Sequence, residues 1–183
     1  MLSRLSDGRA CSSPRKILDV GCGAAKRPGA VGVDRADLPG VDVVHDLNVF
    51  PWPFEDEQFD EIYMYDIIEH LDDTIRVMEE VHRLLRPAGR VHIQVVYWNS
   101  RHSYSDPTHV RFFTEETFRF FTGEKRAYYT KARFAVESLV FMYDSLARKL
   151  FPFRKLLNLM AYFLCNVRQG MRVTMHKLPA AAR

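Results

Sequence analysis

The apolar positions of this chain fall into short clusters parted by polar turns, and the spacing inside the clusters switches between two periods. Residues 16–20 (KILDV) form a brief apolar run that stops at Gly21-Cys22-Gly23, and they predict a buried strand. A second strand is predicted at 31–33, closed by Asp34. A third follows at 41–44, closed by His45-Asp46, and a fourth at 61–64, after the acidic turn Glu55-Asp56-Glu57. Over 73–85 the period changes: Ile75, Met78, Val81 and Leu85 recur at helical spacing, and Arg86-Pro87-Ala88-Gly89 ends the helix. Residues 91–96 predict a fifth strand. At 114–121 another helix begins, with Thr114 as N-cap and Glu115 and Glu116 in its first turn. Alternation over 133–143 and 171–177 predicts the last two strands. Strands alternating with helical stretches imply parallel βαβ units, an α/β fold with a doubly wound sheet. Such sheets take ligands beyond the carboxyl ends of their strands, where strand order reverses. That directs attention to residues 21–25, Asp34, Asp46 and the segment after Met64.

With 183 residues, the chain has the length of one domain with a full core. Residues 1–15 read as a flexible leader and 16–183 as a single domain. The net charge of +3 is too small for a dedicated nucleic-acid binder, but it is unevenly spread. From position 145 onward there are eight Lys/Arg and no Asp/Glu; taking that +8 from +3 leaves −5 for the body. Cys11, Cys22 and Cys165 are odd in number and far apart, which argues against a disulfide framework or a zinc site and favours a cytoplasmic setting. The polar N-terminal stretch lacks the apolar centre of a signal peptide, and no apolar run approaches the length of a membrane-spanning helix.

The chemistry begins at Asp19-Val20-Gly21-Cys22-Gly23. Glycines at a strand-to-turn junction let the backbone approach a ligand closely, and free N–H groups there favour a carboxylate or phosphate; the alternative is an ordinary tight turn. Asp34 at a strand end can accept hydrogen bonds from ribose hydroxyls, and Asp46 from an adenine amino group; either could instead be a solvated loop acid. The three together, in order and on one sheet edge, say much more than any one alone. A nicotinamide-dinucleotide site would require a third glycine where Lys26 stands, and a long helix after it.

At this point the chain resembles the class I S-adenosylmethionine-dependent methyltransferases. Ile17-Leu18-Asp19-Val20-Gly21-Cys22-Gly23 resembles their first motif and Val31-Gly32-Val33-Asp34 their second. Pro53-Phe54-Glu55-Asp56-Glu57-Gln58-Phe59-Asp60 is similar to the turn before their fourth strand. Ile67-Ile68-Glu69-His70-Leu71 is similar to the helix after it, and Leu84-Leu85-Arg86-Pro87-Ala88-Gly89 to the turn before strand five. The resemblance runs from Lys16 to about Phe121. It implies a seven-stranded, mostly parallel sheet with the last strand antiparallel, and S-adenosyl-L-methionine as cofactor. By the same resemblance Gly21, Cys22 and Gly23 lie beneath the methionine part, with Asp19 supporting the turn. Asp34 holds the ribose, Arg35 flanks the adenine, Asp46 and Leu47 bind the adenine edge, and Tyr65 and Asp66 close the site near the sulfonium. Two features depart from the family pattern. Ala25 replaces a usual glycine, and the ten residues between Gly23 and Asp34, with Pro28 and Gly29 among them, are too few for a full first helix.

A sulfonium methyl is already activated, so the protein has to align an acceptor and remove at most one proton. Residues 97–111 follow strand five and hold His102, Tyr104, Asp106 and His109; the Asp-Pro-Thr-His run resembles the acceptor-side loop of small-molecule members. His109 is the first candidate for a general base and His70 the second; each could instead only hydrogen-bond its own loop. No third ligand stands at a telling spacing from Glu69 and His70, so no metal is expected. The segment 144–168 reads as a basic, apolar helical insertion before the last strand, broken near Pro152. It could be a lid, a packed surface, or an interfacial helix over 146–165 that touches anionic membrane. The function expected is methyl transfer to an oxygen or nitrogen of a small-molecule, glycan or lipid-linked acceptor. The competing reading is a non-catalytic S-adenosylmethionine-binding or membrane-docking partner subunit.

Overall fold

The computed structural model describes residues 15–123, 128–150 and 153–180. Seven strands form one sheet: β1 (Ile17–Val20), β2 (Ala30–Asp34), β3 (Val43–Val44), β4 (Phe59–Tyr65), β5 (Leu85–Val96), β6 (Phe134–Tyr143) and β7 (Arg168–Lys177), in the order β3-β2-β1-β4-β5-β7-β6. β1 lies parallel to β2 and β4, and β4 parallel to β5, whereas β7 runs antiparallel to both β5 and β6. The single antiparallel strand is the one the resemblance implied. Strand order reverses at β1, with β2 on one side and β4 on the other, so the turn after β1 sits at the switch point.

Side-chain alternation builds the core. Leu18 and Val20 on β1, Ile62 and Met64 on β4, Val91, Ile93 and Val95 on β5, and Met171, Val173 and Met175 on β7 are all buried. Helix α1 (Thr74–Leu84) covers them with Val77, Met78, Val81 and Leu84. Asp73 caps it rather than belonging to it: one carboxylate oxygen accepts from the N–H groups of Ile75 and Arg76, both at 3.0 Å. After the single turn α2 (His102–Ser105) comes α3 (Glu115–Arg119), which runs on as a 3₁₀ turn through Thr122. It adds Phe118 and Phe121 to the same core, where each buried aromatic contributes roughly 1.5–3 kcal/mol.

The opposite face of the sheet is different. Glu61, Tyr63 and Tyr65 of β4, His92 and Gln94 of β5, and Arg172 and Thr174 of β7 are half-buried or exposed. Tyr63 stacks on His92 with ring centroids 4.4 Å apart, donates to Glu61 at 2.8 Å, and lies under the Arg27 guanidinium at 3.6 Å. The short connections explain this. Residues 21–29 and 35–42 are turns, so no helix follows β1 or β2, and among the described residues the helices that reach the main core lie on one face. The shortened first helix expected from Pro28 and Gly29 is thus no helix at all.

Three further expectations shift. β3 is only two residues long. The segment 86–89 does not separate helix from strand, because β5 already starts at Leu85. Leu85 pairs with Phe59 and Arg90 with Glu61, so Arg86-Pro87-Ala88-Gly89 loops out opposite Asp60, which holds Arg86 at 2.9 Å. Residues 68–70 form a 3₁₀ turn rather than a helix. Of the expected leader, residues 1–14 lie outside the described residues, while Arg15 pairs with Glu61 at 2.6 Å.

Between β6 and β7 the chain forms α4 (Ser145–Leu150) and α5 (Arg154–Phe163); Pro152 lies outside the described residues. Ala147, Leu157, Ala161 and Val167 form a small core of their own against Tyr143. Most of the remaining apolar side chains face solvent: Phe153, Tyr162 and Phe163 are 74, 73 and 76% exposed. The excursion touches the loop after β5, where Asn166 accepts from the Arg101 N–H at 2.6 Å. No helix among the described residues is long and apolar enough to cross a membrane.

Candidate functional site

The carboxyl ends of β1 to β4 meet on one edge, and the glycines there are required by geometry. Gly21 has φ +68, and a Cβ on it would lie 2.4 Å from Cγ1 of Ile67, which packs on the turn from the segment after β4. The expectation of free N–H groups is not met. Gly21 and Cys22 donate to the Val33 carbonyl at 2.8 and 3.3 Å, and Gly23 donates to the Asp34 carboxylate at 2.9 Å. The turn therefore offers close approach rather than donors. Asp19 accepts from the Arg27 N–H at 2.7 Å and so ties down the far end of the turn. Cys22 is buried, and burial together with Asp19 and Asp34 pushes its thiol pKa up, which keeps it protonated and inert.

A pocket of about 270 Å³ lies beside this turn, lined by Asp34, Arg35, Asp46, Leu47, Ile67 and His70, among others. Asp34 accepts from Gly23 and, at 2.9 Å, from Ala36; a carboxylate has about four lone-pair sites, so capacity remains for two hydroxyl groups. Asp46 accepts from Asn48 at 3.0 Å. Leu47 is fixed from below: its carbonyl accepts from the buried Trp52 indole at 3.1 Å, and the Trp52 backbone N–H donates to Glu80 of α1 at 2.6 Å. Leu47, Ile67 and Leu71 give the pocket its apolar walls.

Of the ten residues expected around the cofactor, Asp34, Arg35, Asp46 and Leu47 line this pocket; Asp19, Gly21, Cys22 and Gly23 form the turn beside it. Tyr65 and Asp66 do not line it. Tyr65 belongs to the polar sheet face, packed on Tyr63 at 5.8 Å. Asp66 is exposed with φ +52 and accepts from Gln94 at 2.7 Å, and Gln94 accepts from Arg172 at 2.7 Å. Asn48, Ile67, Leu71 and Thr108 are lining residues that the sequence did not single out. Ile67 and Leu71 lie within the quoted motif 67–71 and Thr108 within the quoted Asp-Pro-Thr-His run, so those motifs carried the signal; Asn48 carried none.

The candidate bases are brought together. His70 and His109 face each other with ring centroids 4.7 Å apart. His70 Nδ1 lies 2.8 Å from the Thr108 hydroxyl, and His109 Nδ1 lies 3.2 Å from the Ser103 carbonyl. His102 and Tyr104 are exposed and take no part in the pocket. Beside the pair lies Glu69, 1% exposed; one of its oxygens accepts from the Val96 N–H at 3.4 Å and the other makes no hydrogen bond. Burial raises its carboxyl to about 6, and the neighbouring charge of Asp66 acts in the same direction.

A mixed seven-stranded sheet with a glycine turn at its switch point and acids closing β2 and β3 defines the methyltransferase class of α/β folds. The family model described as a methyltransferase domain matches residues 2–125, and the chain belongs to that family. The curated methyltransferase GfsG of Streptomyces halstedii is 32% identical over 116 residues, 51% of this chain and 42% of that protein. The ubiquinone biosynthesis O-methyltransferase of Pseudomonas aeruginosa (strain LESB58) is 28% identical over 116 residues, 52% of this chain and 50% of that protein. This chain therefore spans about half the length of the curated relatives it matches. Among solved structures, a S-adenosylmethionine-dependent methyltransferase from Archaeoglobus fulgidus superposes with a TM-score of 0.64 at 18% identity, covering 89% of this chain and 86% of that one. The YcgJ protein of Bacillus subtilis gives 0.60 at 15% identity, covering 94% and 95%. Family membership implies S-adenosyl-L-methionine as methyl donor, and the residues present are compatible with it. Asp34 retains acceptor capacity for a ribose, Leu47, Ile67 and Leu71 suit the faces of a base, and Asp46 stands at the edge.

Proposed function

We propose that the protein transfers a methyl group from S-adenosylmethionine to an oxygen or nitrogen of a small-molecule acceptor. One observation carries this reading: the pocket walled by Asp34 and Asp46 reaches His70 and Thr108, and His70 faces His109 of the loop after β5. The donor half and the acceptor half of the reaction thus have adjoining places. The cofactor supplies a methyl on positively charged sulfur. The chain holds the ribose and adenine, excludes water with Leu47, Ile67 and Leu71, and aligns the acceptor against the methyl. The imidazole of His109, with His70 in reserve, takes the acceptor proton. That the two curated relatives are named as methyltransferases, one for oxygen, favours an oxygen acceptor. Calorimetric titration tests the donor half: S-adenosylmethionine and its demethylated product should each bind with one site per chain. No binding of either would overturn the reading.

The acceptor-side excursion supports a finer proposal, that a lipid-linked or membrane-borne acceptor is met at an anionic surface. Exposed Leu146, Leu150, Phe153, Leu159, Tyr162 and Phe163 share α4 and α5 and their junctions with Arg148, Lys149, Arg154 and Lys155, and no acid follows Asp144. Each basic residue near such a surface contributes about 1 kcal/mol. Cosedimentation with vesicles containing phosphatidylserine is expected at low salt and should be lost at high salt. Protein left in the supernatant at low salt would show the excursion to be a lid or a contact between copies.

A further inference from the structure

Three side chains from two segments distant in sequence converge beside the donor pocket. His70 ends the 3₁₀ turn after β4, and Asp106 and His109 come from the loop after β5; one donor atom of each lies within 4.8 Å of the others. The pair considered from the sequence, Glu69 and His70, is not the one that meets: Glu69 is outside this cluster, and the fold gives His70 two other neighbours. The hydrogen bonds around the cluster also settle which ring nitrogens are free. The Ser103 carbonyl can only accept, so His109 Nδ1 carries a proton, and Nε2 is the nitrogen that can offer a lone pair to a ligand. The Thr108 hydroxyl donates to Asp106 at 2.6 Å, so it accepts from His70 Nδ1, again leaving Nε2 free. Orienting an imidazole by a hydrogen bond from its other nitrogen is the usual arrangement at metal-ligating histidines.

We propose that His70, Asp106 and His109 form a site for a divalent transition-metal ion, with open coordination positions that take the acceptor oxygen. The proposal rests on reading the adjoining pocket as the methyl-donor site. Two imidazoles and one carboxylate suit zinc, iron, cobalt or manganese rather than magnesium or calcium, which favour all-oxygen sets. Three protein ligands leave positions vacant. Asp106 is exposed and the two rings are half-buried, so those positions can be reached from outside, while His70 also lines the donor pocket. With Nε2 of His109 on the metal that ring is no longer the base, so in this arrangement the metal takes over the imidazole's part in the proposed function: a hydroxyl bound there loses its proton to water more readily. Its oxygen then bonds to the methyl carbon as the carbon–sulfur bond breaks, the electron pair stays on sulfur, and the metal changes no oxidation state.

The test uses the full chain, stripped with a chelator and freed of any affinity tag. Titration with Co²⁺ should give visible d–d absorption that saturates at one equivalent and is displaced by Zn²⁺. Asp106→Asn, at an exposed position where folding is not at risk, and His109→Asn should each weaken binding at least tenfold. No absorption change, or binding that persists unaltered in both variants, overturns the site. S-adenosylmethionine titrated into the same metal-free protein separates the two readings. Donor binding without cobalt binding removes the metal site alone, and cobalt binding without donor binding removes the donor pocket alone.

Discussion

Replacing His109 by asparagine is expected to lower methyl-transfer turnover by about 10²–10⁴-fold, with affinity for S-adenosylmethionine nearly unchanged. Asparagine is close to the imidazole in size and can still donate to the Ser103 carbonyl, so the loop should keep its shape. What it lacks is a ring nitrogen with a lone pair to take the acceptor proton, and it is also a poor metal ligand. His109 is outside the lining of the donor pocket, so binding and chemistry should separate. Steady-state rates against pH and a calorimetric donor titration would check both halves. Full turnover across the pH range would reduce His109 to a loop tie.

Asp34→Ala should weaken donor binding by about 1.5–3 kcal/mol, roughly 10- to 150-fold, the scale of hydrogen bonds to a charged group. The carboxylate has a second duty here, since it accepts from Gly23 and Ala36 and so joins the glycine turn to β2. Some loss of thermal stability should therefore accompany the loss of affinity. Asp34→Asn separates the two effects. It keeps one acceptor oxygen and turns the other into a donor, so it should hold part of the turn while still losing most of the ribose contact. A folded Asp34→Ala protein that binds as tightly as the parent would show that the acid at the end of β2 is not the ribose anchor.

The strands were legible wherever burial imposed a period. β4, β5 and β7 alternate cleanly because one face packs into the core and the other is polar; β4 and β7 lie within three residues of expectation at each end, whereas β5 ends as expected but starts six residues early, at Leu85. The strand-end positions of Asp34 and Asp46 were legible because each ends or closely follows a short apolar run, Asp34 as the last residue of β2 and Asp46 two residues past β3. The bulge at 86–89 was not legible as a bulge: Pro87 and Gly89 signal an interruption, but only pairing with β4 shows that the interruption falls inside a strand. Tyr65 and Asp66 were placed by resemblance, and the geometry draws them instead toward Gln94 and Arg172, partners from two other strands that local sequence cannot announce. The meeting of His70 with Asp106 and His109 was invisible for the same reason. It depends on parallel β4 and β5 lying side by side, which brings the segments after them together although a helix and a strand intervene in the chain.

The polar rear of the sheet bears on how such a chain can change length over descent. A face dressed with Tyr63, His92, Arg172 and their ionic neighbours tolerates contact with water, and between β1 and β2 its cover is a side chain, Arg27 over Tyr63, and not a helix. The connections at 21–29 and 35–42 can then lengthen or shorten while the apolar layer under α1 stays as it is. The residues proposed to hold the donor flank those connections or follow β3, and they are anchored by strand pairing and by Trp52, which α1 holds through Glu80. A lineage built this way can shed or regrow whole turns of structure behind the sheet while the ligand edge keeps its shape.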